Sequence, residues 1–112
     1  MPLNLPIIPI NISSSFHLFV ISLKNFSRDD FYDYMFKKGI KLQYHYIPLY
    51  RHTYFKSKLN INKKNFLNME NYFKNSISLP IFVDLKKSDL YKIVKEIKNF
   101  FKDKNSFDYN LR

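Results

Sequence analysis

The chain has 112 residues, 46% of them hydrophobic and 19% aromatic, which suits one domain with a modest core and excludes a disordered segment. It contains no cysteine, so disulfides, thiolate catalysis and cysteine-based zinc sites are excluded. The net charge of +10 permits a nucleic-acid-binding module. The excess is mostly lysine spread over the predicted helices, however, whereas base recognition favours arginine. A solvated basic surface is preferred, and nucleic-acid binding is the alternative.

Residues 1–15 predict an extended lead-in. Pro2, Pro6 and Pro9 remove backbone donors and hold their neighbours in extended geometry. The start lacks the basic region of a signal peptide, and no apolar run approaches the ~20 residues of a membrane span. We therefore expect a cytoplasmic protein that does not bind membranes. We divide the chain into this lead-in, a folded domain over 16–102 and a polar tail over 103–112 that frays.

Residues 17–23, HLFVISL, predict a strand buried on both faces, because β-branched and aromatic residues follow one another without polar alternation. His17 at its start is expected to be a hydrogen-bonded structural residue. Residues 40–46 predict a second strand, which Pro48 ends. The segment 51–64 has no clear period and is rich in Lys and Asn, which predicts a long exposed loop.

The first predicted helix starts at Ser27, a favourable N-cap. Asp29 and Asp30 follow in the first turn, where carboxylates interact favourably with the helix dipole, and this position explains the acidic pair without catalysis. Gly39 supplies the left-handed residue that ends the helix. The apolar face consists of Phe31, Tyr34 and Met35.

The C-terminal half predicts a helix over 65–76, a short edge strand over 78–82 and a last helix capped by Ser88. The apolar stripe of the first of these helices consists of Phe66, Met69 and Phe73. That of the last helix consists of Leu90, Ile93, Val94, Ile97 and Phe101. The order of elements predicts a two-layer α/β or α+β unit with helices over a small sheet.

The chain carries no complete catalytic machinery. Its single glycine excludes phosphate-binding loops and dinucleotide motifs. His45 and His52 lie seven residues apart across a proline, without the helical spacing of a metal pair. We predict no catalytic residue and no metal site.

Residues 43–50, QYHYIPLY, are the candidate functional stretch, with three tyrosines, a histidine and a proline among eight residues. A short strand that ends in a rigid aromatic turn commonly presents a contact surface for a sugar, a base or another chain. Alternatively, the alternate residues Leu42, Tyr44 and Tyr46 face the core.

Five blocks together resemble the C-terminal end of the DegT/DnrJ/StrS-type sugar aminotransferases: HLFVISL, RDDFYDYMFKKGI, QYHYIPLYRHTYF, SISLPIF and SDLYKIVKEIKNF. The resemblance covers about Ser14 to Phe101, and the wording HYIP resembles the branch that makes the pseudaminic acid precursor. It implies the small C-terminal domain of the fold-type-I, aspartate-aminotransferase fold. It also implies a homodimeric enzyme that aminates nucleotide-linked 4-keto-6-deoxy sugars for polysaccharide biosynthesis.

The resemblance implies that the substrate-binding residues of the family correspond to Gln43, Tyr44, His45 and Tyr46 in this chain. Their amide, hydroxyl and imidazole groups suit a nucleotide sugar. The following HTYF departs from the commoner His-Pro-Tyr-Tyr wording, which weakens any role for His52.

The family's cofactor is pyridoxal phosphate, but in the family its lysine, aspartate and phosphate donors lie in a large domain upstream. We therefore expect this chain to hold no cofactor alone, to be inactive alone, and to be either a truncated product or a subunit that needs a large-domain partner. Without that partner, exposed apolar faces should cause association. A purely structural subunit is the remaining alternative.

Overall fold

The structure is a computed structural model and describes residues 2–109, with side chains described as far as residue 104. The strands are β1 (Leu3–Asn4), β2 (Phe19–Leu23) and β3 (Ser76–Leu79), and the helices are α1 (Arg28–Lys37), α2 (Thr53–Lys58), α3 (Leu67–Asn75) and α4 (Lys87–Tyr109). Short 3-10 turns cover Leu49–Arg51 and Lys63–Phe66.

The three strands form one antiparallel sheet in the order β1-β2-β3. The predicted strand over 17–23 is therefore confirmed but shorter, and burial on both faces is wrong. Ile21 and Leu23 are buried on one face, whereas Val20 and Ser22 on the other are half-buried. His17 is exposed and precedes the strand, so its predicted place inside a buried strand is also wrong. Antiparallel sheets commonly pack only one face on the main core, and this accounts for the alternation.

Helix α1 forms as the sequence predicts. The Ser27 side chain accepts the backbone N–H of Asp30 at 3.2 Å, which satisfies one free donor of the first turn. At the other end Gly39 has a φ of +75° and donates to Phe36, while Ile40 donates to Met35, both at 2.9 Å. These two bonds are the Schellman pattern, which satisfies the last carbonyls and returns the chain to the core.

The core lies between one face of the sheet and helices α1 and α4. Phe31 of α1 and Phe100 of α4 meet edge to face with ring centres 5.1 Å apart, an arrangement that aromatic pairs favour. The buried apolar residues are Ile21, Leu23, Phe31, Met35, Ile40, Leu42, Ile77, Ile93, Ile97, Phe100 and Phe101. Helices over a small sheet thus form the predicted two-layer α+β architecture.

Helix α4 differs from its prediction in two respects. Leu90 and Val94 of the predicted stripe are nearly half exposed, and Phe100 is buried in addition. The helix also continues to Tyr109, beyond the predicted end near Lys102. Residues 110–112 lie outside the described residues, so the fraying of the tail over 103–112 stays a prediction. The division of the chain into 1–15, 16–102 and 103–112 also stays a prediction.

The predicted second strand over 40–46 is wrong except at one residue. Only Gln43 pairs, in an antiparallel bridge with Ser78 on the outer edge of β3. In this register the next hydrogen-bonded position would place Lys41 opposite Pro80, which has no N–H to donate. The ladder therefore cannot extend in that direction. The same proline explains why β3 ends at Leu79 and not at 82.

The segment 51–64 is not the irregular loop that its composition predicts. It contains α2 and parts of both 3-10 turns. Helix α3 begins at Leu67 and ends at Asn75, so Ser76 belongs to β3 and not to the helix. Within the described residues, no helix has the length and apolar character that spanning a membrane requires.

Candidate functional site

A cleft of about 410 Å³ lies where residues 41–46 run beside the end of β3. The bridge between Gln43 and Ser78 forms its base, with N···O distances of 3.2 and 2.8 Å. The polar residues that line the cleft are His17, Lys41, Gln43, His45, Tyr46 and Ser78. No acidic side chain lines the cleft among the residues that the structure describes. The cleft therefore offers several donors and a positive charge.

Two lining residues carry buried polar atoms with no hydrogen-bond partner in the described part of the chain. They are both ring nitrogens of His45 and the hydroxyl oxygen of Ser78, whose residue is only 3% exposed. A buried polar atom left unpaired costs about 1–3 kcal/mol, so such atoms are normally satisfied by something. The lining thus includes two polar side chains, those of His45 and Ser78, whose hydrogen-bonding capacity is unused within the described residues.

The structure brings three of the four predicted binding residues to this cleft. Gln43, His45 and Tyr46 line it, and Tyr46 is 68% exposed, so it does not belong to the core. Tyr44 does not line it, although its neighbours Gln43 and His45 do. Whether the four residues bind a substrate stays a prediction.

Tyr44 lies instead against α1. The Arg28 guanidinium lies 4.1 Å from the centre of the Tyr44 ring, and the Tyr44 hydroxyl donates to Asp29 at 3.2 Å. The Tyr32 ring stacks on Tyr44 with ring centres 5.1 Å apart. Burial, with a smaller contribution from Asp29, raises the pKa of Tyr44 to about 12. Tyr44 is thus half-buried and fully engaged, as the alternative of a structural role expects.

A second group of contacts ties the other end of 43–50 to α3. Arg51 and Tyr50 both donate to the Glu70 carboxylate, the latter at 2.7 Å. The Arg51 guanidinium also lies 5.1 Å from the centre of the Phe73 ring. The hydrogen bond from Arg51, and next that from Tyr50, lowers the pKa of Glu70 below its ordinary value. Glu70 therefore stays ionised at neutral pH and holds both partners.

Three polar lining residues were not predicted from the sequence. Ser78 had a usable signal, because Ile77 and Leu79 flank it and strand alternation places a residue between two inward-facing neighbours on the other face. Lys41 and His17 had none, since their position depends on how β2 and β3 are placed. His52 is exposed and does not line the cleft. Among the described residues, no three His, Cys, Asp or Glu side chains are grouped closely enough to hold a metal ion.

A sequence profile of the DegT/DnrJ/EryC1/StrS aminotransferase family matches residues 3–98. The chain is 26% identical over 97 residues to the protein MJ1066 of Methanocaldococcus jannaschii, covering 83% of this chain and 25% of that protein. It is 26% identical over 58 residues to the spore coat polysaccharide biosynthesis protein SpsC of Bacillus subtilis, covering 52% of this chain and 15% of that protein. These matches do not support the alternative of a nucleic-acid-binding module.

Among solved structures, the PMP form of Spr1654 from Streptococcus pneumoniae, described as a sugar aminotransferase, matches with a TM-score of 0.72 and 27% identity over 77% of this chain and 22% of that chain. Its PLP form matches with a TM-score of 0.80. The predicted fold-type-I aminotransferase fold is therefore confirmed. The chain spans about a quarter or less of the length of the relatives it matches.

Pyridoxal phosphate is the cofactor of the matched family, and the cleft by itself does not fit it. The cofactor needs a lysine for its aldehyde and a carboxylate for its pyridinium nitrogen. Among the described residues, the lining includes one lysine, the exposed Lys41, and no carboxylate. The cleft therefore lacks a group that the cofactor requires.

Proposed function

Because the chain belongs to the DegT/DnrJ/EryC1/StrS aminotransferase family, we propose that it forms the C-terminal, substrate-binding part of an enzyme that aminates a nucleotide-linked 4-keto-6-deoxy sugar. The product is a precursor of a surface polysaccharide or glycan. The sequence HYIP at 45–48 favours the branch of the family that makes the pseudaminic acid precursor, and with it a UDP-linked sugar. The observation that carries the proposal is the cleft in which unpaired atoms of His45 and Ser78 are buried beside Gln43.

The chemistry of the cleft supports a nucleotide sugar as its ligand. A neutral imidazole has one donor and one acceptor, and a hydroxyl and a primary amide have both. Sugar hydroxyls need the same combination. Lys41 and His17 suit phosphate oxygens, since no acidic residue of the described part of the chain lines the cleft. The name of SpsC, a polysaccharide biosynthesis protein, is in keeping with this substrate class.

We assign the binding of the sugar nucleotide to this chain and the cofactor chemistry to a large domain on other residues. Gln43, His45 and Tyr46 hold the sugar nucleotide, whereas Tyr44 supports them from behind. Ile47, Leu49 and Phe82 near the cleft are more than half exposed, as expected of a surface that another domain or chain covers. The complete enzyme is a homodimer, as in its family, and this chain alone neither turns over nor stays monomeric at high concentration.

Nuclear magnetic resonance can test the binding role on the isotopically labelled 112-residue chain. We expect UDP-N-acetylglucosamine to shift the signals of Gln43, His45 and Ser78. His45→Phe should weaken this binding about tenfold, because a charge-assisted or double hydrogen bond contributes about 1.5 kcal/mol or more. The matched control is His52→Phe, which changes an exposed histidine outside the cleft and should bind as the wild type does. Absence of shifts, or equal binding by His45→Phe, would show that the cleft does not bind the nucleotide sugar.

A separate measurement tests the division of labour. The chain is incubated with pyridoxal phosphate, any imine formed with a lysine is reduced with borohydride, and the mass of the product is measured by mass spectrometry. We expect only partial modification scattered over several lysines, because the described lining of the cleft lacks the set of groups that would hold the cofactor beside a single lysine. A single lysine fully modified by the cofactor would contradict the assignment of cofactor chemistry to other residues.

A further inference from the structure

We propose that Arg28 is a positioning residue, which together with the Phe73 ring holds the segment 43–46 so that Gln43 and His45 face the cleft. This inference rests on the proposed function of the cleft. It concerns residues that lie outside the cleft lining, on α1 and α3.

Arg28 contacts two aromatic rings from different parts of the chain. Its guanidinium carbon lies 4.1 Å from the centre of the Tyr44 ring and 4.7 Å from that of the Phe73 ring. Its side chain is only 11% exposed, and cation–π contacts strengthen as water is removed from around the cation. Arg28 therefore joins the candidate segment to α3 through its contacts with both rings.

The edge of the same guanidinium is also occupied. Nε and Nη2 both donate to Asp29 at 3.2 Å, and Nη1 donates to the backbone carbonyl of Phe73. The Asp29 oxygen that receives these bonds also accepts the Tyr44 hydroxyl. A planar guanidinium can donate in its plane while it stacks on aromatic rings, which a lysine ammonium cannot do.

Fixing Tyr44 determines the direction of its neighbours. In an extended segment, a residue held on one side places the residues before and after it on the other side. The contact between Arg28 and Tyr44 thus turns Gln43 and His45 toward the cleft. Gln43 is also held by its bridge to Ser78, so without the Arg28 contact it is backbone rotation at Tyr44 that would let the residues after the bridge adopt other orientations.

Phe73 has the same role at the far end of the stretch. Its ring also contacts Arg51, which is bound to Glu70. One aromatic side chain of α3 therefore anchors both ends of 44–51, while Tyr46, Ile47 and Leu49 between the anchors stay exposed. The two anchors restrict the segment without covering the residues that face a ligand.

The expected effect on binding follows from populations. If only chains with Tyr44 held against Arg28 bind well, a variant that lowers this population weakens the apparent affinity by the same factor. Loss of one or two cation–π contacts corresponds to about a three- to tenfold decrease. The side chains that touch the ligand remain unchanged.

The test compares Arg28→Lys and Phe73→Leu with a destabilising control, Phe26→Leu. The Phe26 ring contacts Phe100 and Phe101 in the core at 6.0 and 5.1 Å and is not among the residues that line the cleft. We expect Arg28→Lys and Phe73→Leu to shift the signals of the Gln43 side-chain amide and the His45 ring in the free chain. Both should bind UDP-N-acetylglucosamine about three- to tenfold more weakly. Phe26→Leu should lower the urea midpoint and leave these signals and the affinity unchanged.

Each result decides one of the two proposals. If the wild-type chain does not bind the sugar nucleotide, the proposed function fails. The positioning role is then still tested by comparing the Gln43 and His45 signals of the free variants with those of the free wild-type chain. Unchanged signals in a folded Arg28→Lys or Phe73→Leu chain would overturn the positioning role. An equal loss of affinity in Phe26→Leu would also overturn it, because general stability would then explain the effect.

Discussion

The hydroxyl of Tyr34 in α1 donates a hydrogen bond to Glu96 in α4 at 2.9 Å. The same carboxylate accepts from Asn99 at 3.4 Å and lies 3.9 Å from the Lys38 ammonium. Burial, and next the hydrogen bond to Glu96, raises the pKa of Tyr34 to about 12. The bond from Tyr34 in turn lowers the pKa of Glu96. The two helices are thus linked through a phenol that must stay protonated.

This link predicts a loss of stability in alkali. Because the folded pKa of Tyr34 lies above the unfolded value of about 10, its contribution is complete below pH ~10 and is lost as the pH rises toward 12. Tyr44, with its pKa also raised to about 12, adds a second contribution in the same range. In Tyr34→Phe only the second remains, so the free energy of unfolding should fall less steeply with pH. Urea unfolding at several pH values between 9 and 12 measures both slopes, and identical slopes would contradict the prediction.

Phe31 should be the most sensitive position on α1. It is completely buried, and its ring contacts Phe100 and Phe101 with ring centres 5.1 and 6.2 Å apart. Phe31→Ala should cost about 3–5 kcal/mol, a large part of the stability of a domain of this size. Met35→Leu, equally buried but nearly equal in volume, should cost less than about 1.5 kcal/mol. Denaturant unfolding compares them, and similar costs would mean that the core around Phe31 repacks freely.

Gly39 should be needed for its backbone conformation and not for space. Its φ is +75°, and a methyl group placed there would meet only the Lys92 ammonium at 3.8 Å, an ordinary contact. Gly39→Ala should therefore cost about 1–2 kcal/mol. Gly39→Asn should cost less, because asparagine adopts the left-handed conformation more readily. If both variants were equally destabilised in urea, the cost would not be that of the left-handed conformation.

Sequence reasoning succeeded where the signals are local. The start of α1 at Ser27 and its end at Gly39 depend on a cap, a dipole and a left-handed residue, all within a few positions of the helix. The apolar periodicity of α4 placed Ile93 and Ile97 in the core for the same reason. Family resemblance added the fold type, which these local signals do not contain.

Sequence reasoning failed where the structure of a segment depends on residues far away in the chain. The strand over 40–46 looked complete, but its pairing partner β3 is followed directly by Pro80, which lies far along the chain. Helix α2 was missed because its six residues are short of two full turns and none of them is buried, so they produce no readable period. A clear apolar pattern is not expected in the sequence of an element in which no residue is fully buried.

The candidate site shows the same division. The composition of 43–50 drew attention to the stretch, and the family resemblance made Gln43, Tyr44, His45 and Tyr46 candidates. The different surroundings of Tyr44 depend on Arg28 and Phe73 from two other elements. Ser78 completes the cleft from β3, so its contribution appears only when Gln43 is paired with it. Single residues were therefore recognisable, but their grouping was not.

Helix α3 ends at Asn75 and β3 begins at Ser76, with no residue between them. Most junctions between a helix and a strand contain a flexible linker that absorbs small displacements, and this junction has none. A tilt of α3, for instance when a neighbouring domain docks against it, must be transmitted directly to the strand that carries Ser78. A contact made by α3 is thus mechanically coupled to Ser78 in the cleft, because the helix and the strand are joined without a linker.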